Sequence, residues 1–298
     1  MFPGQGAQAV GMGQSFSESS DVAKERFQQA DAAIDLPLSE ICFNGPIEKL
    51  TETAITQPAL LTVSVIAFEL WKEKNDASSV VVGAGHSLGE YSALVAAGAL
   101  GFEDAVKLVH NRGKFMQEAV PVGEGGMVAI LGKEIEELAS AVESAASTVE
   151  IANINAPGQV VLAGSKSDIQ SFMESHSDWK MKELPVSAPF HCALMKKAEE
   201  SLAPLVREVE IKEPGFPIVQ NVTATPTTDP ETIRENLIAQ VCGSVRWVEC
   251  MEKGISEFSP SEAVEFGSGK VLSGLLKRIQ KGFPSKTIGT PEDLAPSS

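Results

Sequence analysis

Positive charge is scarce in this chain. Its 298 residues carry 24 lysines and arginines against 40 aspartates and glutamates, a formal charge of −16 at pH 7. A nucleic-acid-binding face needs a basic footprint, so that function class is set aside and a solvated acidic shell is the plain reading. Cysteine is also sparse: Cys42, Cys192, Cys242 and Cys250 are scattered, with no C-x-x-C pair. That usage fits free thiols in a reducing compartment better than disulfides or a zinc centre. The longest apolar stretch, ALLTVSVIAFELW from Ala59 to Trp71, is broken by polar residues. It falls short of the roughly 18–20 residues of a membrane span and reads as a buried core helix. No secretory leader pattern, long repeat or low-complexity tract is present.

What is present is an alternation of short β-branched runs with longer amphipathic patterns, the rhythm of an α/β protein. From Gly125 to Ser187 it is clearest. GMVAILG, VEIANIN, QVVLAG and WKMKELPVS read as strands, KEIEELASAVESAA and KSDIQSFMESH as helices. The order βαββαβ is the split βαβ pattern of a ferredoxin-like unit. The expected architecture is therefore a hydrolase-like parallel-sheet body, residues 1–124 and 188–298, with a small ferredoxin-like subdomain inserted at 125–187. A helix over Lys270 to Gly282 closes the body, and the tail TPEDLAPSS reads as frayed.

Between the apolar run Val80–Val82 and a helical pattern lies Gly85-His86-Ser87-Leu88-Gly89. This fits G-x-S-x-G, the elbow in which a strained turn lifts a serine above a sheet edge. Ser87 is then either a nucleophile or a helix N-cap, since both uses need the same hydroxyl. A dinucleotide loop is excluded, because Leu88 stands where G-x-G-x-x-G needs glycine. Gly267-Ser268-Gly269-Lys270 is no phosphate loop either, with Val264 and Val271 at positions needing Gly and Ser/Thr.

A nucleophilic serine needs a base. His86 adjoins Ser87 and should point away from it, His110 reads as a packed or half-exposed helix residue and His176 as surface. His191, in PVSAPFHCALM at a strand-to-helix junction, is the preferred candidate; Cys192 beside it reads as a packed thiol. One further residue is out of place. Ala105, Val109, Arg112 and Met116 share one helical stripe, which puts an arginine on an apolar face. Arg112 either snorkels to solvent or a structural carboxylate, or forks a substrate carboxylate.

Taken together, FPGQGAQ, NGPIEKL, TQPALL, GHSLGEYSALVAAGAL, RGKFMQEA, NAPGQVVLAG, PFHCALM, QNVTA and GKVLSGL run almost end to end. This ordered set resembles the malonyl-CoA:acyl-carrier-protein transacylases of fatty-acid synthesis and the related polyketide acyltransferase domains. The resemblance implies that Ser87 attacks the malonyl thioester with His191 as base, giving a malonyl-serine ester in a ping-pong cycle. It implies an oxyanion hole from the backbone N–H groups of Gln5 and Leu88, and a backbone carbonyl, that of Gln240, orienting the histidine. Arg112 would hold the malonyl carboxylate. Phe190, Met116, Asn155 and Gln57 would line or support the pocket, Phe190 occupying the space of an α-methyl group.

The resemblance further implies no metal and no bound cofactor, with malonyl-CoA as substrate and phosphopantetheine carried by the partner. That partner, an acyl-carrier protein, is typically acidic, so docking would need a local basic face; Lys196, Lys197, Lys277, Arg278 and Lys281 are the candidates. A monomer in a reducing bacterial cytoplasm, or in a plastid or mitochondrial interior, is expected. One departure stands out: the family places a strand before the FPGQG loop, and here only Met1 precedes Phe2, so a trimmed start or a missing core strand is expected. Two rivals remain, a thioesterase releasing malonate to water and a non-catalytic carrier-protein or coenzyme-A binding module.

Overall fold

The computed structural model describes residues 1–145, 147–186 and 188–294. The architecture is mixed α/β with open sheets, as the alternating pattern predicts. In the body, β1 (Gly83–Ala84) pairs in parallel with β6 (Ile218–Val219), which pairs antiparallel with β7 (Pro226–Thr227). β8 (Ala263–Phe266) runs parallel to β9 (Ser285–Ile288).

Met1 and Phe2 join these two pieces. Phe2 N–H donates to the Ala84 carbonyl at 3.0 Å and receives His86 N–H at 3.0 Å, while Phe266 N–H donates to the Met1 carbonyl at 2.9 Å. The N-terminal amine donates to the Val264 carbonyl at 2.7 Å, and its burial pushes it down to about 5. Through these bonds Met1 and Phe2 link β1 to β8 at the level of the elbow, Phe2 as an isolated bridge to Gly85 rather than as a strand. The strand expected at Val80–Val82 begins later, at Gly83. Val80–Val82 have no strand pairing, because β6 starts at Ile218 and the preceding carbonyl, Pro217, already takes the Gly83 N–H at 2.9 Å.

The apolar run around Ala59–Trp71 lies in a helix, Thr53–Lys74, that is long and apolar enough to cross a bilayer but is packed inside the core. Pro58 interrupts its first turns and leaves the Ala54 carbonyl without an i+4 donor. His110 Nδ1 lies 2.8 Å from that carbonyl and replaces the lost bond. His110 comes from the helix Phe102–Glu118, which approaches so closely that a Cβ on Gly113 would sit 2.5 Å from the Thr53 carbonyl oxygen. This helix pair fixes the position of Arg112, the residue directly before Gly113.

The second sheet follows the expected element order. β2 (Gly125–Leu131), the helix Ile135–Ser144, β3 (Glu150–Ala156), β4 (Gln159–Ser165), the helix Lys166–Ser175 and β5 (Lys180–Glu183) succeed one another. The strands lie in the order β3-β4-β2-β5, all antiparallel, over a cluster of their own formed by Val128, Ile130, Leu138, Leu162, Ile169 and Phe172. β3 carries two register irregularities, and there it bonds to the body: Ile154 N–H donates to Val245 and Val245 N–H to Ala152, both at 2.9 Å. Ser187, where the small unit was expected to end, lies outside the described residues.

At the C-terminal end the closing helix is shorter than its pattern, Val271–Ile279. The tail is not frayed up to Leu294: Asp293 accepts from the Gly289 and Thr290 N–H groups, and Leu294 is buried. Ala295–Ser298 lie outside the described residues.

Candidate active site

The elbow forms because two glycines let three backbones touch. A Cβ on Gly85 would meet the Gly89 carbonyl at 1.9 Å, and one on Gly89 would meet the Phe2 carbonyl oxygen at 2.1 Å. Between them Ser87 is held at φ +52°, a left-handed conformation costly for a side chain. The strain is held by polar contacts. Asn221 Oδ1 accepts the Ser87 N–H at 2.7 Å, Asn221 Nδ2 donates to the Gly85 carbonyl at 2.8 Å, and Gln240 Nε2 donates to the Ser87 carbonyl at 3.1 Å.

The Ser87 hydroxyl does not cap the helix that follows, Gly89–Ala96. It lies 2.8 Å from His191 Nε2 and accepts from Arg112 Nη2 at 3.0 Å. On the far side of the imidazole, Nδ1 faces two carbonyls, Gln240 at 2.9 Å and Gly243 at 3.1 Å. Carbonyls only accept, so the ring proton belongs on Nδ1 and Nε2 is left as the acceptor for the serine proton. Burial, and then the neighbouring Arg112 charge, push His191 down to about 3. The imidazole is therefore neutral at pH 7, the form a base requires.

Arg112 is buried, 1% exposed, and sits over the Tyr91 ring at 5.7 Å. It does not snorkel. Nη1 donates to Gln57 Oε1 at 2.7 Å, and Nη2 also donates to Gln240 Oε1 at 3.0 Å. Gln57 Nε2 in turn lies 3.9 Å from the Met116 sulfur. Every one of these partners is neutral, and no carboxylate pairs with Arg112 among the described residues. A buried guanidinium without a counter-ion is costly unless an anion arrives.

Ser87, His191, Arg112, Gln57, Met116 and His86 line a cavity of about 120 Å³ together with Gln5, Leu88, Met127, Asn153, Leu184, Val186 and Phe190. A larger cavity of about 480 Å³ lies at the Met1 end between Val80–Val82 and β8, away from Ser87. The Leu88 and Gln5 backbone N–H groups donate to no partner among the described residues. Asn155, on β3, bonds the ring of His86 at 2.8 Å, and His86 packs 5.5 Å from Trp247, turned away from Ser87 as expected.

A family model described as an acyl transferase domain matches residues 1–266. The chain belongs to the acyl transferase family. It is 42% identical over 300 residues to the malonyl CoA-acyl carrier protein transacylase of Bacillus subtilis (strain 168), covering 99% of this chain and 94% of that protein. The crystal structure of an acyl-carrier-protein-S-malonyltransferase from Bartonella henselae superposes with a TM-score of 0.95 at 40% identity, covering 98% of this chain and 95% of the other. A malonyl-transacylase solved in complex with a type II PKS acyl-carrier protein gives a TM-score of 0.93 at 40% identity, covering 98% and 96%.

In this acyltransferase fold the remaining candidates fall outside the cavity. Cys192 donates to the Pro189 carbonyl at 3.1 Å and burial pushes its thiol up to about 12, so it is packed as expected. His176 is not a free surface residue: it stacks on Phe172 at 4.3 Å and lies against Trp179 at 4.5 Å. Of the five basic candidates all are exposed, but Lys196 is paired with Glu199, and Arg278 donates to Gln159 and to the Pro157 carbonyl.

Sequence reasoning missed Asn221, Gly243, Asn153 and Glu90. A signal existed for two of them: Asn221 belongs to the polar pair Gln220-Asn221 directly after the apolar β6, and Glu90 is the one charged residue in the helix GEYSALVA.

Proposed function

We propose that the chain moves a malonyl group from malonyl-CoA to the phosphopantetheine thiol of an acyl-carrier protein through an ester on Ser87. The observation that carries this reading is Arg112, a buried guanidinium with only neutral partners, 3.0 Å from the Ser87 hydroxyl. A carboxylate on the acyl chain supplies the missing anion and places the thioester beside the serine.

In the first half, His191 Nε2 takes the Ser87 proton as Oγ bonds to the thioester carbon. The developing oxyanion is met by the Leu88 and Gln5 N–H groups. The C–S bond breaks, and the proton on Nε2 passes to the departing coenzyme A sulfur. In the second half the carrier thiol gives its proton to Nε2, its sulfur bonds to the ester carbon, and Ser87 Oγ leaves and is reprotonated. The Gln240 and Gly243 carbonyls stabilise the transient imidazolium in place of an acid side chain. Every role is filled by a named protein group, so the step calls on no resident cofactor.

Transfer must outcompete water. His191 is 4% exposed, and Met116, Met127, Leu184, Val186 and Phe190 give the pocket apolar walls, an environment that leaves an attacking water without partners. Phe190 and Met116 bound the acyl chain, while Gln57 and Asn155 brace Arg112 and His86. Residues 1–124 and 188–298 act as the catalytic body and 125–187 as the inserted unit that covers the elbow. Lys197, Lys277 and Lys281, exposed and without ion-pair partners among the described residues, form the basic part of the carrier-docking face, with Lys196 and Arg278 at its edge. A monomer in a reducing cytoplasm fits this arrangement, with fatty-acid synthesis as the pathway supplied.

The test is to label the protein with malonyl-CoA, trap it, and add either carrier protein or water. Label that sits on Ser87 and leaves only to a thiol supports transfer. Rapid release to water would make the protein a thioesterase, and absence of label would make it a binding module.

A further inference from the structure

Glu90 is a buried carboxyl that the transfer steps do not use. It is 0% exposed in the helix Gly89–Ala96, directly beneath the elbow. Oε2 accepts the Asn221 N–H at 2.8 Å and Gln240 Nε2 at 3.0 Å, while Oε1 has no partner among the described residues. Because the amide NH₂ of Gln240 faces Glu90 and the Ser87 carbonyl, its Oε1 is turned to Arg112. One amide thus stands between a buried carboxyl and a buried guanidinium.

We propose that Glu90 is a specificity-determining residue: across the Gln240 amide, its protonation sets how much positive charge Arg112 presents to the acyl group, the neutral acid favouring an anionic acyl chain and the carboxylate opposing it. The inference rests on Arg112 holding the substrate carboxylate. With Glu90 neutral, Arg112 and a malonyl carboxylate cancel. With Glu90 ionised, the same complex holds an extra buried negative charge, which the low-dielectric interior does not screen well. An acetyl group, having no charge, is indifferent to the change.

The geometry is matched by the titration. Burial pushes Glu90 up to about 7, against the opposing pull of the Asn221 and Gln240 hydrogen bonds and the Arg112 charge. The other ionisable groups whose fields reach it do not titrate nearby. Tyr91 on the same helix is pushed up to about 12, and Cys250, from the helix Trp247–Phe258, is raised by burial. Arg112 stays a cation. Beyond it, His191 is down at about 3, and burial also lowers His86.

The experiment is KM for malonyl-CoA and for acetyl-CoA at pH 6 and pH 8.5, in the unaltered protein and in Glu90→Gln. Glutamine keeps an acceptor for Asn221 and Gln240 but cannot ionise. The unaltered protein should show a malonyl-CoA KM rising roughly fivefold toward pH 8.5, the low end of coupling between interacting sites. Acetyl-CoA should not follow, which cancels any titration of the coenzyme itself, and Glu90→Gln should be flat for both. A merely structural Glu90 would change both substrates alike at both pH values.

An unaltered protein with no selective pH response, or a Glu90→Gln variant that keeps it, overturns the proposal. If Glu90→Gln does not fold, calorimetry of Ser87→Ala at pH 7 in two buffers decides. Binding malonyl-CoA should take up protons and binding acetyl-CoA should not, and equal uptake contradicts the assignment. Failure of the underlying reading shows separately, as a malonyl preference that survives Arg112→Ala.

Discussion

Asn221 grips the backbone of Ser87 from both sides of the elbow, its Oδ1 accepting the Ser87 N–H at 2.7 Å and its Nδ2 donating to the Gly85 carbonyl at 2.8 Å. The amide therefore holds the serine at φ +52°. The Gly85 bond continues through the turn that sets His86 against Asn155. Strain held in this way is recoverable as stability.

Ser87→Gly and Ser87→Ala both remove the hydroxyl, but only glycine adopts the left-handed conformation without cost. Ser87→Gly should be the more stable of the two by about 1 kcal/mol, read as a difference in urea midpoint. Equal stabilities would mean that the turn is not strained.

Two buried groups pull the pH dependence of stability in opposite directions. His191 is lowered from 6.5 to about 3, so between those values the unfolded chain binds the extra proton and stability rises with pH. Glu90 is raised from 4.5 to about 7, so across that window the folded chain binds the extra proton and stability falls as pH rises. The two effects offset each other between about 4.5 and 6.5. Glu90→Gln removes one of them, and its stability should rise over that window more steeply than that of the unaltered protein. The added slope is about 1.4 kcal/mol per pH unit, measured by urea unfolding at several pH values. Parallel curves would contradict the assignment.

How much of this was legible beforehand follows from where the information lies. The helix Phe102–Glu118 and strands β2 to β4 carry their own periodicity, so local pattern located them and exposed Arg112 as an intruder on an apolar stripe. The elbow is local too, because its two glycines are demanded by contacts within a few residues and with Phe2. The partners of the elbow are not local. Asn221, Gly243 and the Gln240 carbonyl come from distant loops and helix ends, and nothing in their neighbouring residues announces a shared target. For Gln240 and Gln5 a family resemblance supplied what spacing could not. The two-residue link made by Met1 and Phe2 was invisible for the opposite reason: a segment that short has no period to read.

In the proposed function the buried charge of Arg112, rather than the shape of the pocket, selects the acyl group delivered to Ser87. The most direct measurement is kcat/KM for malonyl-CoA and acetyl-CoA in Arg112→Ala, with thiol transfer as the readout. The malonyl value should fall about 100-fold, the loss typical of truncating one partner of a buried charge pair, while the acetyl value changes by no more than about a tenth of that factor. Equal losses with both substrates would contradict the account, leaving Arg112 a structural brace for Ser87 and Gln240.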